Sequence, residues 1–297
     1  MKKKLKFLVV FNCNAGSGRK IKLINNVIEL IKKNHEVELF KTQSEKEAKT
    51  VFKKISKINF DRLVVAGGDG TMFFALNEMI NNNIDDKLIG YIPLGTANIL
   101  KIETHITNNT QDIYQVLTSN KYKKINLSKI NGKYFFLMTG VGFDSKIIES
   151  ISKKLKKYLG KFIFIYKGIQ HFLFLKNNKM EIELDGDKIK ADWILCTNSK
   201  YYAGRNSITN DTNIFENKII VYIFKDLTRM KLIYYFWLIL TKGDLSFAKN
   251  IIKKDLNSLK ISGINNKLLS HADGENLGYQ DKLLISKTKK FINLLVP

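Results

Sequence analysis

Leu63-Val64-Val65-Ala66-Gly67-Gly68-Asp69-Gly70-Thr71-Met72-Phe73 passes from a β-rich apolar run, through a turn carrying three glycines, into a segment whose continuation keeps Phe73, Leu76, Met79 and Ile80 at helical spacing. The same unit recurs on both sides. Residues 6–12 read as a buried strand, followed by a glycine-containing turn and an amphipathic helix over 19–33 marked by Ile21, Ile24, Val27, Ile28 and Ile31. Residues 36–40 form a second strand, 45–56 a second helix and 89–92 a fourth strand. Such alternation predicts a parallel sheet covered on both faces, a Rossmann-like three-layer α/β domain over residues 1–125.

The pattern then changes. Period-2 strands are predicted over 125–130, 133–139, 179–184, 193–198, 218–224, 259–261 and 267–271, with helical insertions at 145–174 and 227–250. We expect a β-rich domain over 126–282 built as an antiparallel sandwich or a barrel-like sheet, a final segment, 283–297, returning to the first domain, and a cleft between the domains.

Composition narrows the function classes. The chain has 297 residues, 44% of them hydrophobic, so it can build sizeable cores. Two prolines exclude Pro-rich architectures, and two distant cysteines, Cys13 and Cys196, exclude a disulfide framework or a cysteine zinc site. Cys13 reads as a small filler and Cys196 as core. A net charge of +23 attracts polyanions: nucleic acid, an anionic membrane surface or phosphorylated molecules. The longest apolar run, Leu232 to Leu240, is about half a membrane span.

No G-x-x-x-x-G-K-[ST] occurs, and Phe73 stands where a dinucleotide fingerprint needs its last small residue. The three glycines at 67, 68 and 70 nevertheless free the backbone to curl N–H groups around a phosphate at a helix start. Asp69 among them suits a magnesium ion or a ligand hydroxyl. Alone, these residues read more simply as an Asp-Gly turn with Thr71 as helix cap. Two further loops, Asn12-Cys13-Asn14-Ala15-Gly16-Ser17-Gly18-Arg19 and Pro93-Leu94-Gly95-Thr96-Ala97-Asn98, follow predicted strands that would end on the same sheet edge. Late in the chain, His271-Ala272-Asp273-Gly274-Glu275 sets two carboxylates around a glycine, a pattern that in isolation is a hairpin turn.

These segments, in this order, resemble the diacylglycerol kinase catalytic family, in particular soluble bacterial lipid kinases, with sphingosine and ceramide kinases as relatives. Gly67 to Thr71 matches its G-G-D-G-T, Gly95 to Asn98 its G-T-x-N and Asp273 to Glu275 its D-G-E. Gly140-Val141-Gly142-Phe143-Asp144 is similar to its G-x-G-F-D, and Asn77-Glu78 to its Asn-Glu on the following helix. The resemblance implies an α/β nucleotide domain plus a β-sandwich domain with the active site in the interdomain cleft, ATP with Mg²⁺, and transfer of phosphate to a lipid hydroxyl, most simply that of diacylglycerol. It implies nucleotide contacts from Asn12, Cys13, Asn14, Ala15, Gly16, Thr42, Gly67, Gly68, Asp69, Gly70, Thr71, Met72, Phe73, Thr96 and Asn98. Asp273 or Glu275 would be the general base, with Asp144 binding metal or orienting it. Asp69 would face the catalytic metal, and a structural metal would use Glu216 with Asn213 and Lys218.

Departures from the family stand at Cys13, where Pro is usual, at Ile99, where many members carry Asp, and at Glu216-Asn217 in place of Asp-Gly. Lysines and aromatics interleave over 153–179, and 231–242 is apolar with a lysine at each end; both suit peripheral contact with an anionic membrane. The expected protein is cytoplasmic, peripherally membrane-associated, without a nucleic-acid partner, and open to forming a homodimer. A sphingoid, ceramide or other lipid acceptor, an NAD kinase, and a basic nucleic-acid- or membrane-binding non-enzyme are the competing readings. His35, His105 and His171 have no partner visible in the sequence, whereas His271 either tunes Asp273 or points elsewhere.

Overall fold

The computed structural model describes residues 4–15, 19–151, 162–175, 179–184 and 186–297, and the chain divides into two compact units, 1–125 with 290–297, and 126–289. The first unit runs β1 (Lys6–Asn12), α1 (Arg19–Lys32), β2 (Glu36–Thr42), α2 (Glu45–Ile55), β3 (Arg62–Gly67), α3 (Asp69–Asn81), β4 (Leu88–Pro93), α4 (Ile99–Thr104) and α5 (Thr110–Thr118). Its strands lie in the order β2-β1-β3-β4, all parallel, with Val9 beside both Leu39 and Val64. At the β4 edge, Asn293 and Leu294 run parallel beside Leu88 and Ile89.

Apolar β1 and β3 are buried along almost their whole length, as strands must be in a sheet covered on both faces. On α1, Ile24, Val27, Ile28 and Ile31 face the core, whereas Ile21 lies exposed. Helix α1 packs on α5, and α2 on α3. The chain leaves β1 for β2 and crosses back to β3, so strand order reverses between β1 and β3. Ligands of open α/β sheets bind outside the strand C-termini at such a reversal.

The chain continues with β5 (Tyr122–Ile130), which leads into the second unit, β6 (Lys133–Phe135), β7 (Met138–Val141), α6 (Phe143–Glu149), α7 (Phe162–Leu173), β8 (Met180–Leu184), β9 (Asp187–Ala191), β10 (Trp193–Thr197), β11 (Tyr201–Tyr202), β12 (Asn206–Ser207), β13 (Ile220–Phe224), α8 (Arg229–Thr241), β14 (Ile251–Asp255), β15 (Ser258–Gly263), β16 (Leu268–Ala272), β17 (Glu275–Gln280) and β18 (Lys282–Leu295), whose last residues belong to the first unit. Six strands make an antiparallel sheet in the order β14-β13-β10-β7-β16-β17. A second antiparallel set runs β18-β15-β8-β9, with β5 pairing with β18 and β6. The fold class is the expected one: an α/β unit with a parallel sheet, followed by an antiparallel β-rich unit.

Local differences have physical causes. The single strand expected over 133–139 is broken at Phe136-Leu137, where the backbone N–H groups turn toward a carboxylate described below. The helix expected over 227–250 stops at Thr241. There Gly243, at φ +63°, donates its N–H to the Leu238 carbonyl, a left-handed helix stop that glycine makes without steric cost. Within the insertion at 145–174, α6 and α7 are helical, and 152–161 lies outside the described residues. No helix among the described residues is long and apolar enough to cross a membrane.

Candidate functional site

In the first unit, the loops after β1, β3 and β4 are tied to one another. Asn12 donates through Nδ2 to Thr71 Oγ1 at 3.0 Å, joining the first loop to the first turn of α3, and its Oδ1 accepts from the Asn14 N–H. The Cys13 N–H donates to the Thr42 carbonyl, and Thr42 itself is buried at the end of β2. Helix α3 starts at Asp69 behind Gly68, with no side chain capping its N-terminus. The first N–H groups of a helix have no partner within the helix, so an uncapped start behind glycines is a ready anion site. Helix α4 is different. Asp69 accepts from the N–H groups of Ile99 at 2.8 Å and Leu100 at 3.1 Å, so its carboxylate closes that helix start.

The third loop lies directly against the second. Leu94 N–H donates to Gly67 O at 2.7 Å, and a Cβ built on Gly95 would stand 2.5 Å from the Gly68 Cα. Only glycine allows this backbone-to-backbone approach. Lys20, from the first turn of α1, holds the loop from the other side, with its ammonium donating to the carbonyls of Leu94 (2.9 Å) and Gly95 (2.6 Å). Burial, then the nearby Lys101, lower its pKa. Asn98 adopts φ +48°, donates to Gly95 O and accepts from the Tyr91 hydroxyl. Gly95→Ala is expected to force the loops apart and cost about 1–3 kcal/mol of overpacking strain, read as a fall in melting temperature.

Several sequence-predicted contacts are thereby sorted. Gly67, Gly68, Asp69, Gly70, Thr71, Asn12 and Asn98 gather at these loops, and Thr96 lies exposed between them. The side chains of Met72 and Phe73 are buried in the core, so only their backbone atoms are available to a ligand. Gly16 lies outside the described residues. Asn77 and Glu78 are buried on α3, Asn77 donating to Phe73 O. Lys20 was not singled out by the sequence; a basic residue in the first turn after a glycine loop was the available signal.

The second unit brings together the other carboxylates. Asp273 and Gly274, at φ +48° and +80°, form the two-residue hairpin loop between β16 and β17. The Asp273 side chain turns inward and is buried. Its Oδ1 accepts from the N–H groups of Leu137 and Met138, both at 2.9 Å, and its Oδ2 from Phe136 at 3.0 Å. This carboxylate is what breaks the strand over 133–139. Glu275, half-buried, opens β17 beside it.

Asp144 lies in the first turn of α6 and is also buried. Its Oδ2 meets His271 Nε2 at 2.9 Å, and its Oδ1 accepts from the Ser145 N–H. A carboxylate only accepts, so Nε2 carries the imidazole proton, and Nδ1 is left buried without a partner among the described residues. A Cβ on Gly140 would overlap the Asp144 carboxylate. Burial, and then the Asp144 charge, push both the Cys196 thiol and the Tyr202 phenol up. His271 therefore points to Asp144 rather than to Asp273.

The residues proposed for a structural metal close on themselves. Asn213 donates to the Glu216 carboxylate, its Oδ1 accepts from Phe215 N–H, and its carbonyl accepts from Glu216 N–H. The Lys218 carbonyl accepts from Thr212 Oγ1. Among the described residues no group of three or more His, Cys, Asp or Glu could hold a metal ion. The Asn213, Glu216 and Lys218 oxygens are thus engaged within the turn itself.

Residues 6–130 match the diacylglycerol kinase catalytic domain family. Over 275 residues the chain is 24% identical to a diacylglycerol kinase of Staphylococcus aureus strain bovine RF122 / ET3-1, covering 90% of this chain and 85% of that protein, and equally to one from strain MRSA252. A crystal structure of a diacylglycerol kinase from Bacillus anthracis str. Sterne shares the fold, with a TM-score of 0.78 at 19% identity over 100% of this chain and 99% of the other.

Proposed function

We propose, for a chain that belongs to the diacylglycerol kinase catalytic family and is by that membership a lipid kinase, that it transfers the γ-phosphate of ATP to the hydroxyl of a membrane lipid, most simply diacylglycerol, giving phosphatidic acid. The observation that carries the reading is the uncapped N-terminus of α3 behind Gly67-Gly68, beside the strand reversal, while the donors of α4 are closed by Asp69. The chain thus leaves an anion-binding start at one helix and fills the other. Asn12, tied to Thr71, fixes the first loop over that start. The triphosphate would lie against these N–H groups, which stabilise charge on the transferred phosphoryl without reorganising.

Magnesium bound with the nucleotide would neutralise developing charge, and Asp69 is the acidic group of the loop suited to face it. A lipid alcohol loses its proton as it attacks, and a carboxylate in reach must receive it. Three backbone N–H groups hold Asp273, and hydrogen bonds of this kind stabilise a carboxylate as the anion. We therefore assign proton acceptance to Glu275, and to Asp273 the anchoring of the hairpin that carries it. Asp144, held by His271, orients the acceptor side.

The test is transfer of labelled γ-phosphate from MgATP to diacylglycerol, a sphingoid base and ceramide in mixed micelles. Wild type is expected to label diacylglycerol, and Glu275→Gln to fold normally while losing about 10²–10⁴ in rate. Product on no lipid would overturn the reading. Full activity in Glu275→Gln would return the base to Asp273.

A further inference from the structure

Helix α8 is apolar on both faces. Leu232, Tyr235, Leu238 and Ile239 are buried against the second unit, as an amphipathic helix requires. The opposite face repeats Met230, Ile233, Trp237 and Leu240 at steps of three, four and three residues, and Met230 and Leu240 are each 73% exposed. A second apolar stripe on the outer side of a helix has no role in the fold.

Neighbouring elements extend the face. The Arg229 guanidinium donates to the carbonyls of Phe172 and Leu173 at the end of α7, which brings the exposed Leu173 and Phe174 alongside. Tyr234 stacks on Trp237, and its hydroxyl donates to Phe247 O, which adds the exposed Phe247. Exposed apolar surface of this continuity marks an interaction site.

Charge identifies the occupant. No acidic residue occurs from 227 to 243 or from 162 to 175, and Arg229, Lys231, Lys242 and Lys249 flank the stripe. The nearest acids in sequence are engaged: Asp226 pairs with Lys179, and Asp244 is buried and accepts from Ser246. A second copy would set these cations against their own kind on a chain of net charge +23. An anionic bilayer complements them, at about 1 kcal/mol per Lys or Arg near its surface, while the apolar stripe enters the headgroup boundary.

We infer that the outward face of α8, with the end of α7 and Phe247, is a docking surface for an anionic bilayer. The inference rests on the lipid-kinase reading only in giving docking a purpose; its physics is independent of the reaction. The chain contains two tryptophans, and Trp193 is buried, so a change in emission on membrane binding reports Trp237.

The full chain would be titrated with phosphatidylcholine vesicles, with and without phosphatidylglycerol, following tryptophan emission and co-sedimentation. A blue shift and salt-sensitive sedimentation with the anionic vesicles alone are expected. Met230→Glu with Leu240→Glu should weaken partitioning about tenfold or more, with melting temperature and transfer to a short-chain, water-soluble diacylglycerol unchanged. Trp237→Phe should lose the optical signal and keep sedimentation. Wild type failing to bind anionic vesicles, the double variant binding as well as wild type, or a dimer that the double variant dissolves would each overturn the inference. Loss of transfer to every lipid with vesicle binding intact would instead sink the kinase reading and leave the surface standing.

Discussion

Asp273→Ala is expected to unfold the second unit before it can report on catalysis. The substitution leaves the N–H groups of Phe136, Leu137 and Met138 buried without their acceptor. Each orphaned buried donor costs about 1–3 kcal/mol, so a loss of about 3–9 kcal/mol is expected for the three, comparable with a domain's usual stability of about 5–15 kcal/mol. Alanine also tolerates φ +48° less well than aspartate. Asp273→Asn should fall between, since its amide retains one acceptor oxygen and turns a donor toward a donor. Denaturant midpoints and near-ultraviolet circular dichroism of both variants beside Glu275→Gln would check the order. An Asp273→Ala protein as stable as wild type would show that the three hydrogen bonds do not hold the β6–β7 link together.

The contrast between Asp273 and the glycine loop shows where sequence reasoning reaches its limit. Leu63 to Phe73 reveals strand, turn and helix because each property is local: apolar run, glycine freedom and helical spacing fall within one stretch. The fold class followed from repetition of that stretch and the later change of period. Asp273 has partners 135 to 137 positions away, and His271 has one 127 away, so no local pattern could announce either. The hairpin reading of Asp273-Gly274 was right about the backbone and silent about the side chain. Lys20 reaches its carbonyls across 74 and 75 positions. Strand β18 escaped for another reason: its lysine-rich stretch breaks the alternation, and its burial pattern is regular only toward its ends. The site's local parts were legible, and the side-chain ties that fix them were not.

The buried His271–Asp144 pair gives the second large effect, and its asymmetry makes it diagnostic. His271→Ala leaves a carboxylate buried without its imidazole, a type of break that costs about 3–5 kcal/mol, or a fall in melting temperature of roughly 10 °C for a unit of this size. Asp144→Ala leaves only the imidazole N–H unpaired, for about 1–3 kcal/mol. Adding Asp144→Ala to His271→Ala should therefore raise stability above that of His271→Ala alone, because the stranded charge is removed. Denaturant midpoints of the two single variants and the double variant would measure the coupling, and additive losses would mean that the pair is not an interacting unit. Transfer activity then separates packing from chemistry. If the Asp144 carboxylate orients the acceptor, the double variant regains the fold but not the rate, remaining about 10²-fold slow. Activity returning with stability would leave Asp144 a purely structural partner of His271.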